Sequence, residues 1–226
     1  MRVLRRAWVG SASVVACISM LAGCSSSSEL KDLARSGQAE GARKSVEQRM
    51  REYAHRVGEE YPDLRATVTE TTDVCSGEGT PPVFDPDPPE KPVMSCYMRM
   101  YSYFTSGEKT GAVLCRIAKE MKPVYPSDSA VAEACKGRST GLHGVLDGKS
   151  IGFEWIPADK VAEGSGRLTG EYYEDSASDP SGVDLEAAAE KHGGIFLLSD
   201  TRNYLSCTKS GDTGGGEDYS CTPSGE

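Results

Sequence analysis

Eight cysteines in a chain of 226 residues set the strongest limit on what this sequence can become. They stand at Cys17, Cys24, Cys75, Cys96, Cys115, Cys135, Cys207 and Cys221. No two of the last six are close enough to form the C-x-x-C pairs of a structural zinc site. Thiols spaced in this way stay reduced in the cytosol or pair as disulfides outside it. The first residues of the chain bear on that choice.

Arg2, Arg5 and Arg6 make a cationic start, and the stretch from Ala7 to Met20 carries no charge. Its length suits a secretory h-region of roughly 7 to 15 residues, and it is too short and too rich in Ser and Gly to span a bilayer. Leu21-Ala22-Gly23-Cys24 follows and resembles the lipobox of bacterial lipoproteins. In such a site small residues let the chain enter a peptidase, and the cysteine thiol accepts a diacylglycerol. The resemblance implies a signal peptide over 1–23, a lipid on Cys24 and an address on the extracytoplasmic face of the cell membrane. Arg5-Arg6-Ala7-Trp8 also resembles a twin-arginine signal, although Leu4 stands where Ser or Thr is usual, and Sec export is the default.

Export with cleavage before Cys24 leaves 203 residues, enough for one well-cored domain. Six cysteines then remain for three disulfides, with fifteen connectivities open. Pairing of neighbours is the expectation: Cys75 with Cys96, Cys115 with Cys135, and Cys207 with Cys221. Loss of three arginines moves the net charge from −9 to −12, and most of the excess acid lies beyond Val145. Such a surface repels nucleic acid and anionic headgroups, so the reading has no nucleic-acid partner.

The chain from 24 to 39 opens on four serines and reads as a flexible tether, which leaves 40–226 as the folded domain. Ala42, Val46, Met50, Tyr53, Val57 and Tyr61 recur every three or four residues and predict a helix that Pro62 stops. Ala66–Cys75 reads as a strand, and Val93–Phe104 alternates strictly. Met94, Cys96, Met98, Met100 and Phe104 point one way, and Tyr97, Arg99, Tyr101 and Tyr103 the other. Thr105 and Glu108 suggest a capping box that opens a helix with Val113, Ile117 and Met121 on one side. A short helix over Asp128–Lys136 is closed by Gly137.

Asp147-Gly148 between two apolar runs predicts a type I′ hairpin that sets Leu142 opposite Phe153. Arg167–Glu174 reads as a strand and Asp184–His192 as a short helix ended by Gly193-Gly194. Ile195–Ser199 and Tyr204–Cys207 read as a final strand pair, and the Gly-rich tail from Lys209 as a loop held by Cys221. Together these give an α+β fold in a single domain: a mainly antiparallel sheet with packed helices and three disulfides.

The helix ending at Tyr61-Pro62-Asp63-Leu64, then Thr67-Val68-Thr69 and Asp73-Val74-Cys75-Ser76-Gly77, is similar to the helix, strand and cysteine arrangement of LppA-type lipoproteins of actinobacteria. The similarity covers about forty residues. It implies an envelope address and brings no catalytic residues with it.

Motifs for chemistry are few. Ser106 to Lys109 is an S-x-x-K and Lys109-Thr110-Gly111 a K-T-G, but the two share Lys109 and cannot face each other across a cleft. His55 reads as a rim residue and His192 as a cation at a helix C-terminus. His143 points away from the core in the hairpin register, near Ser150 and diagonal to Glu154. Asp85 and Asp87 alternate with prolines, and Asp175, Asp179 and Asp184 miss calcium-loop spacing, so no metal or other cofactor is expected.

The remaining candidate is the stripe Tyr97, Arg99, Tyr101 and Tyr103. It is either a contact surface for a wall glycan or an envelope protein, or a sheet face covered by a second layer. A non-catalytic binding or structural module of the envelope is therefore expected. The alternative is an envelope hydrolase with His143 and Glu154 in its site.

Overall fold

The computed structural model describes residues 25–77, 92–123, 128–163, 171–178, 183–212 and 217–224. Two helices lead, α1 (Ser25–Ala34) and α2 (Gly37–Glu60), followed by strands β1 (Leu64–Gly77) and β2 (Met94–Ser106). Then come α3 (Thr110–Glu120), β3 (Lys122–Pro123), α4 (Asp128–Cys135), the hairpin β4 (Gly141–Leu146) and β5 (Lys149–Pro157), and a 3₁₀ segment (Ala158–Glu163). Strand β6 (Tyr173–Ser178), helix α5 (Leu185–His192), and strands β7 (Gly194–Asp212) and β8 (Glu217–Pro223) complete the chain. All eight strands form one antiparallel sheet in the order β3-β4-β5-β7-β2-β1-β6, with β8 paired to β7 beyond the end of β5. The α+β class, the antiparallel sheet and the three neighbour disulfides are as expected.

Local chemistry explains the elements that follow the sequence reading. Asp147 (φ 50°) and Gly148 (φ 76°) both take the left-handed conformation that a type I′ turn requires, and Leu142 pairs with Phe153. The side chain of Asp184 caps α5 by accepting from the Ala187 amide, and Gly193 closes the helix at φ 77°. On α2, Val46, Met50, Tyr53 and Val57 are buried along one stripe and pack on β1, β2 and β7. Helices α3 and α4, joined by Cys115–Cys135, complete the same layer over Phe104, Phe153 and Phe196.

Several expectations fail, each for a physical reason. Over its described part the tether is helix α1 and the first residues of α2, and Leu30 (5% exposed), Ala34 (0%) and Ala39 (0%) join the core beside Cys75, Cys96 and Cys207. Leu30, Leu33 and Ala34 recur at i, i+3 and i+4, a short amphipathic signal that the serines obscure. The domain therefore begins well before residue 40.

Thr105 and Ser106 cap no helix. Both are buried at the end of β2, the Ser106 hydroxyl accepts from the Glu108 amide at 3.0 Å, and α3 opens at Thr110. The final strand pair is one continuous strand, because Asp200 and Arg202 point to the same face and satisfy each other at 2.7 Å, so polar residues that read as a turn stay in the sheet. The tail from Lys209 is a strand pair, β7 with β8, rather than a loop. Of the strand expected over Arg167–Glu174, Tyr173 and Glu174 open β6, which runs on to Ser178, and 167–170 lie outside the described residues. Residues 1–24, Asp85, Asp87 and Asp179 fall outside the described residues.

Candidate functional site

Strand β2 lies between β1 and β7 near the middle of the sheet, so both of its alternating faces have neighbours. Met94, Met98 and Met100 pack under α1 and α2, as the alternation predicts. The opposite face is the tyrosine stripe. Tyr97 is 7% exposed, Tyr101 8% and Tyr103 6%, so the stripe is not an open contact surface.

Its physical reason is a second layer: α5 packs on β2 and β7, and the 3₁₀ segment packs beside it. Tyr101 and Tyr103 cluster there with Val68, Ala189, Ile195 and Leu197. Arg99 is partly exposed and donates to the Thr201 hydroxyl at 3.1 Å and to Tyr101 Oη at 3.2 Å. The Tyr97 hydroxyl is buried with no hydrogen-bond partner among the described residues.

Helix α5 is only eight residues long and does not cover the whole face. Between the 3₁₀ segment, α5 and the sheet remains a cleft of about 620 Å³. Its apolar wall includes Tyr103, Ile156, Leu185 and Ile195, and its polar groups include Glu70, Glu154 and Lys160. The Tyr103 hydroxyl donates to Glu70 Oε2 at 3.0 Å, which fixes one carboxylate against an aromatic edge. A volume of this size with a few convergent polar groups on an apolar wall is the usual form of a small-ligand site. Of the stripe, only Tyr103 reaches it. The residues that sequence reasoning missed are Glu70, Lys160 and Leu185, which come from separate elements and share no local pattern.

His143 is exposed, on the same sheet face, and stands opposite Gly152 in the hairpin register. A Cβ built on Gly152 would lie 2.5 Å from Ser199 Oγ and 3.0 Å from His143 Cε1, so a larger residue at 152 would have to displace these two side chains. Ser199 Oγ donates to the Gly152 carbonyl at 3.5 Å. His143 makes no hydrogen bond among the described residues, and Glu154 stands opposite Gly141, two residues along the hairpin on the same face. The structure thus brings His143, Ser199 and Glu154 to neighbouring positions without orienting the imidazole as a base would be oriented. His55 is exposed beside Glu59 at 3.6 Å, and His192 ends α5. Among the described residues there is no group of three or more His, Cys, Asp or Glu side chains able to hold a metal, and no helix is long and apolar enough to cross a membrane.

The opposite face holds the principal buried charge. Arg43 of α2 forms an ion pair with Asp73 of β1 and donates to the Ala34 carbonyl at 3.2 Å. Tyr204 donates to Asp73 at 2.7 Å, and the Arg43 guanidinium lies 4.2 Å from the Tyr173 ring centre. Burial holds the Asp73 carboxyl above its ordinary range in spite of the opposing pull of Tyr204 and Arg43. This network ties α1, α2, β1, β6 and β7 together and has no access to the cleft.

Comparison with protein-family models, with curated proteins and with solved structures finds no match.

Proposed function

We propose that this chain is a bacterial lipoprotein, held by a lipid on Cys24 at the extracytoplasmic face of the cell membrane, and that it acts as a non-catalytic binding module of the envelope. Support for the address comes from the charged and apolar N-terminal segment, from Leu21-Ala22-Gly23-Cys24, and from the similarity around Tyr61–Gly77 to LppA-type lipoproteins. Three disulfides within one domain agree with an oxidising compartment. The cleft bounded by Tyr103, Glu154, Lys160 and Leu185 is the observation that favours binding, and its ligand is a wall glycan or a segment of an envelope protein. An apolar wall with carboxylates and a cation at its rim offers stacking and hydrogen bonds to either.

Two measurements test this. Mass analysis of the membrane fraction should find the mature chain beginning at an acylated Cys24, and Cys24→Ala should abolish the acyl mass and release the protein. An unacylated, uncleaved product in the cytosol with free thiols overturns the address. Titration with soluble wall fragments should show binding weakened by Tyr103→Phe and by Glu154→Gln; equal binding by all three proteins removes the cleft.

The second reading, an envelope hydrolase, is favoured by the approach of both His143 and Ser199 to Gly152. Covalent labelling by a serine-directed phosphonate, lost in Ser199→Ala and in His143→Ala, would establish it in place of the first.

A further inference from the structure

Arg49, Tyr53 and Arg56 recur at i, i+4 and i+7 on α2 and therefore share one side of the helix. That side opens on a groove of about 730 Å³, whose other wall carries Lys149 of β5 and Arg202 of β7. Arg51 also lines it, which makes five permanent cations against one lining carboxylate, Glu52, in a chain of net charge −9. Their environments differ. Arg51 is engaged by Glu47 at 2.8 Å, and Glu52 accepts from Gln48 at 2.8 Å. Arg202 is nine-tenths buried and fixed by Asp200. The Arg56 guanidinium lies over the Tyr53 ring at 5.6 Å, and Arg49 has no ion pair among the described residues. Like charges drawn into one concave space repel each other more strongly than on an open surface, because less water lies between them. A bound anion relieves that repulsion.

We propose that this groove binds a phosphate group, with the exposed Arg49 and Arg56 closing on the phosphoryl oxygens above a floor set by the Arg202–Asp200 ion pair. A planar guanidinium can give two parallel N–H donors to one phosphate, and two long side chains about two helix turns apart, roughly 10.5 Å along the axis, can reach a single group between them. The net negative charge of the chain does not oppose this. At physiological salt a charge is screened beyond roughly 8 Å, so a pocket acts on a ligand through its own lining. A long polyanion would meet the acidic surroundings, whereas one phosphate group would not. The phosphate belongs either to a soluble molecule or to a lipid headgroup, and the two sources are separable.

Isothermal titration of the protein with inorganic pyrophosphate forms one arm, and flotation with phosphatidylglycerol vesicles against phosphatidylcholine vesicles forms the other. Saturable binding is expected in at least one arm, weakened tenfold or more in R49Q/R56Q and unchanged in K44Q, a cation on the same helix that pairs with Glu40. The arm that responds names the source. In the unsubstituted protein the amide resonances of Lys149 and Arg202 should move on binding, a readout that does not depend on any variant. Equal binding by R49Q/R56Q and the unsubstituted protein, absence of binding in both arms, or the same resonance shifts from chloride at matched ionic strength overturns the proposal.

Discussion

The two faces of the sheet are built from the same strands, yet one is closed and the other is not. One face lies beneath α2, a helix of 24 residues and roughly 36 Å at 1.5 Å per residue, with α1, α3 and α4 extending the cover. The other lies beneath α5, a helix of eight residues and roughly 12 Å, beside a 3₁₀ segment. Both faces bury polar groups, but differently. On the α2 face Asp73, Arg43 and Tyr204 satisfy one another in the interior. On the α5 face Glu70, Glu154 and Lys160 reach a cleft. A long helix can enclose its charges only when they are paired, and a short one leaves room for partners from outside. The buried ion-pair network and the cleft of Glu70, Glu154 and Lys160 thereby lie on opposite sides of one sheet.

The largest expected break in this contrast is Asp73→Ala, which leaves Arg43 buried without its carboxylate and should cost about 3 to 5 kcal/mol in urea unfolding. A loss comparable to that of an exposed substitution would mean that the network does not close the face. Next is the double change Cys75→Ser/Cys96→Ser, expected to remove about 2 to 4 kcal/mol, mostly by freeing the unfolded chain. Because Cys75 and Cys96 are fully buried while Cys135 is exposed, graded thiol reductant should open Cys115–Cys135 first, as peptide mapping after alkylation would reveal. The reverse order would mean that burial does not control access to the sulfurs within the α2 layer.

Burial raises the phenols of Tyr53, Tyr61 and Tyr204 well above 10, the usual value for tyrosine. A raised phenol stabilises the fold fully below pH 10 and loses that contribution as pH climbs through the folded value. Absorbance at the phenolate band should therefore show a late step that coincides with alkaline unfolding, and a titration finished near pH 10 in the native protein would contradict the closed face. The smallest effects belong to the open side. Tyr103→Phe removes one hydrogen bond to Glu70, about 1 kcal/mol, and Glu154→Gln should stay within about 0.5 kcal/mol in thermal unfolding. A large loss from Glu154→Gln would make the cleft a structural element.

What the sequence displays of this architecture is what short-range chemistry controls. Asp147-Gly148, the Asp184 and Gly193 caps and the neighbour disulfides each need only a few adjoining residues or a short loop. The alternation of β2 separates Met98 from Tyr97 correctly, but which side faces water depends on α5 and Ala158–Glu163, far along the chain. Strand β7 reads as broken because the pairing of Asp200 with Arg202 is visible only once both are known to face inward. The cleft and the cationic groove are each assembled across distant elements: Glu70 meets Lys160, and Arg49 meets Lys149 and Arg202. No periodicity records such meetings.

Helix α1 has a mechanical consequence. It starts at Ser25 and is already docked through Leu30, so a membrane-inserted acyl chain on Cys24 would be attached to the body with almost no leash. A spacer lets a domain tumble and sample all headings; this junction would fix its pitch relative to the bilayer and its stand-off height. Inserting a stretch of Gly and Ser between Cys24 and Ser25 would restore the missing slack, and any function that depends on a set orientation should fade as the insert lengthens.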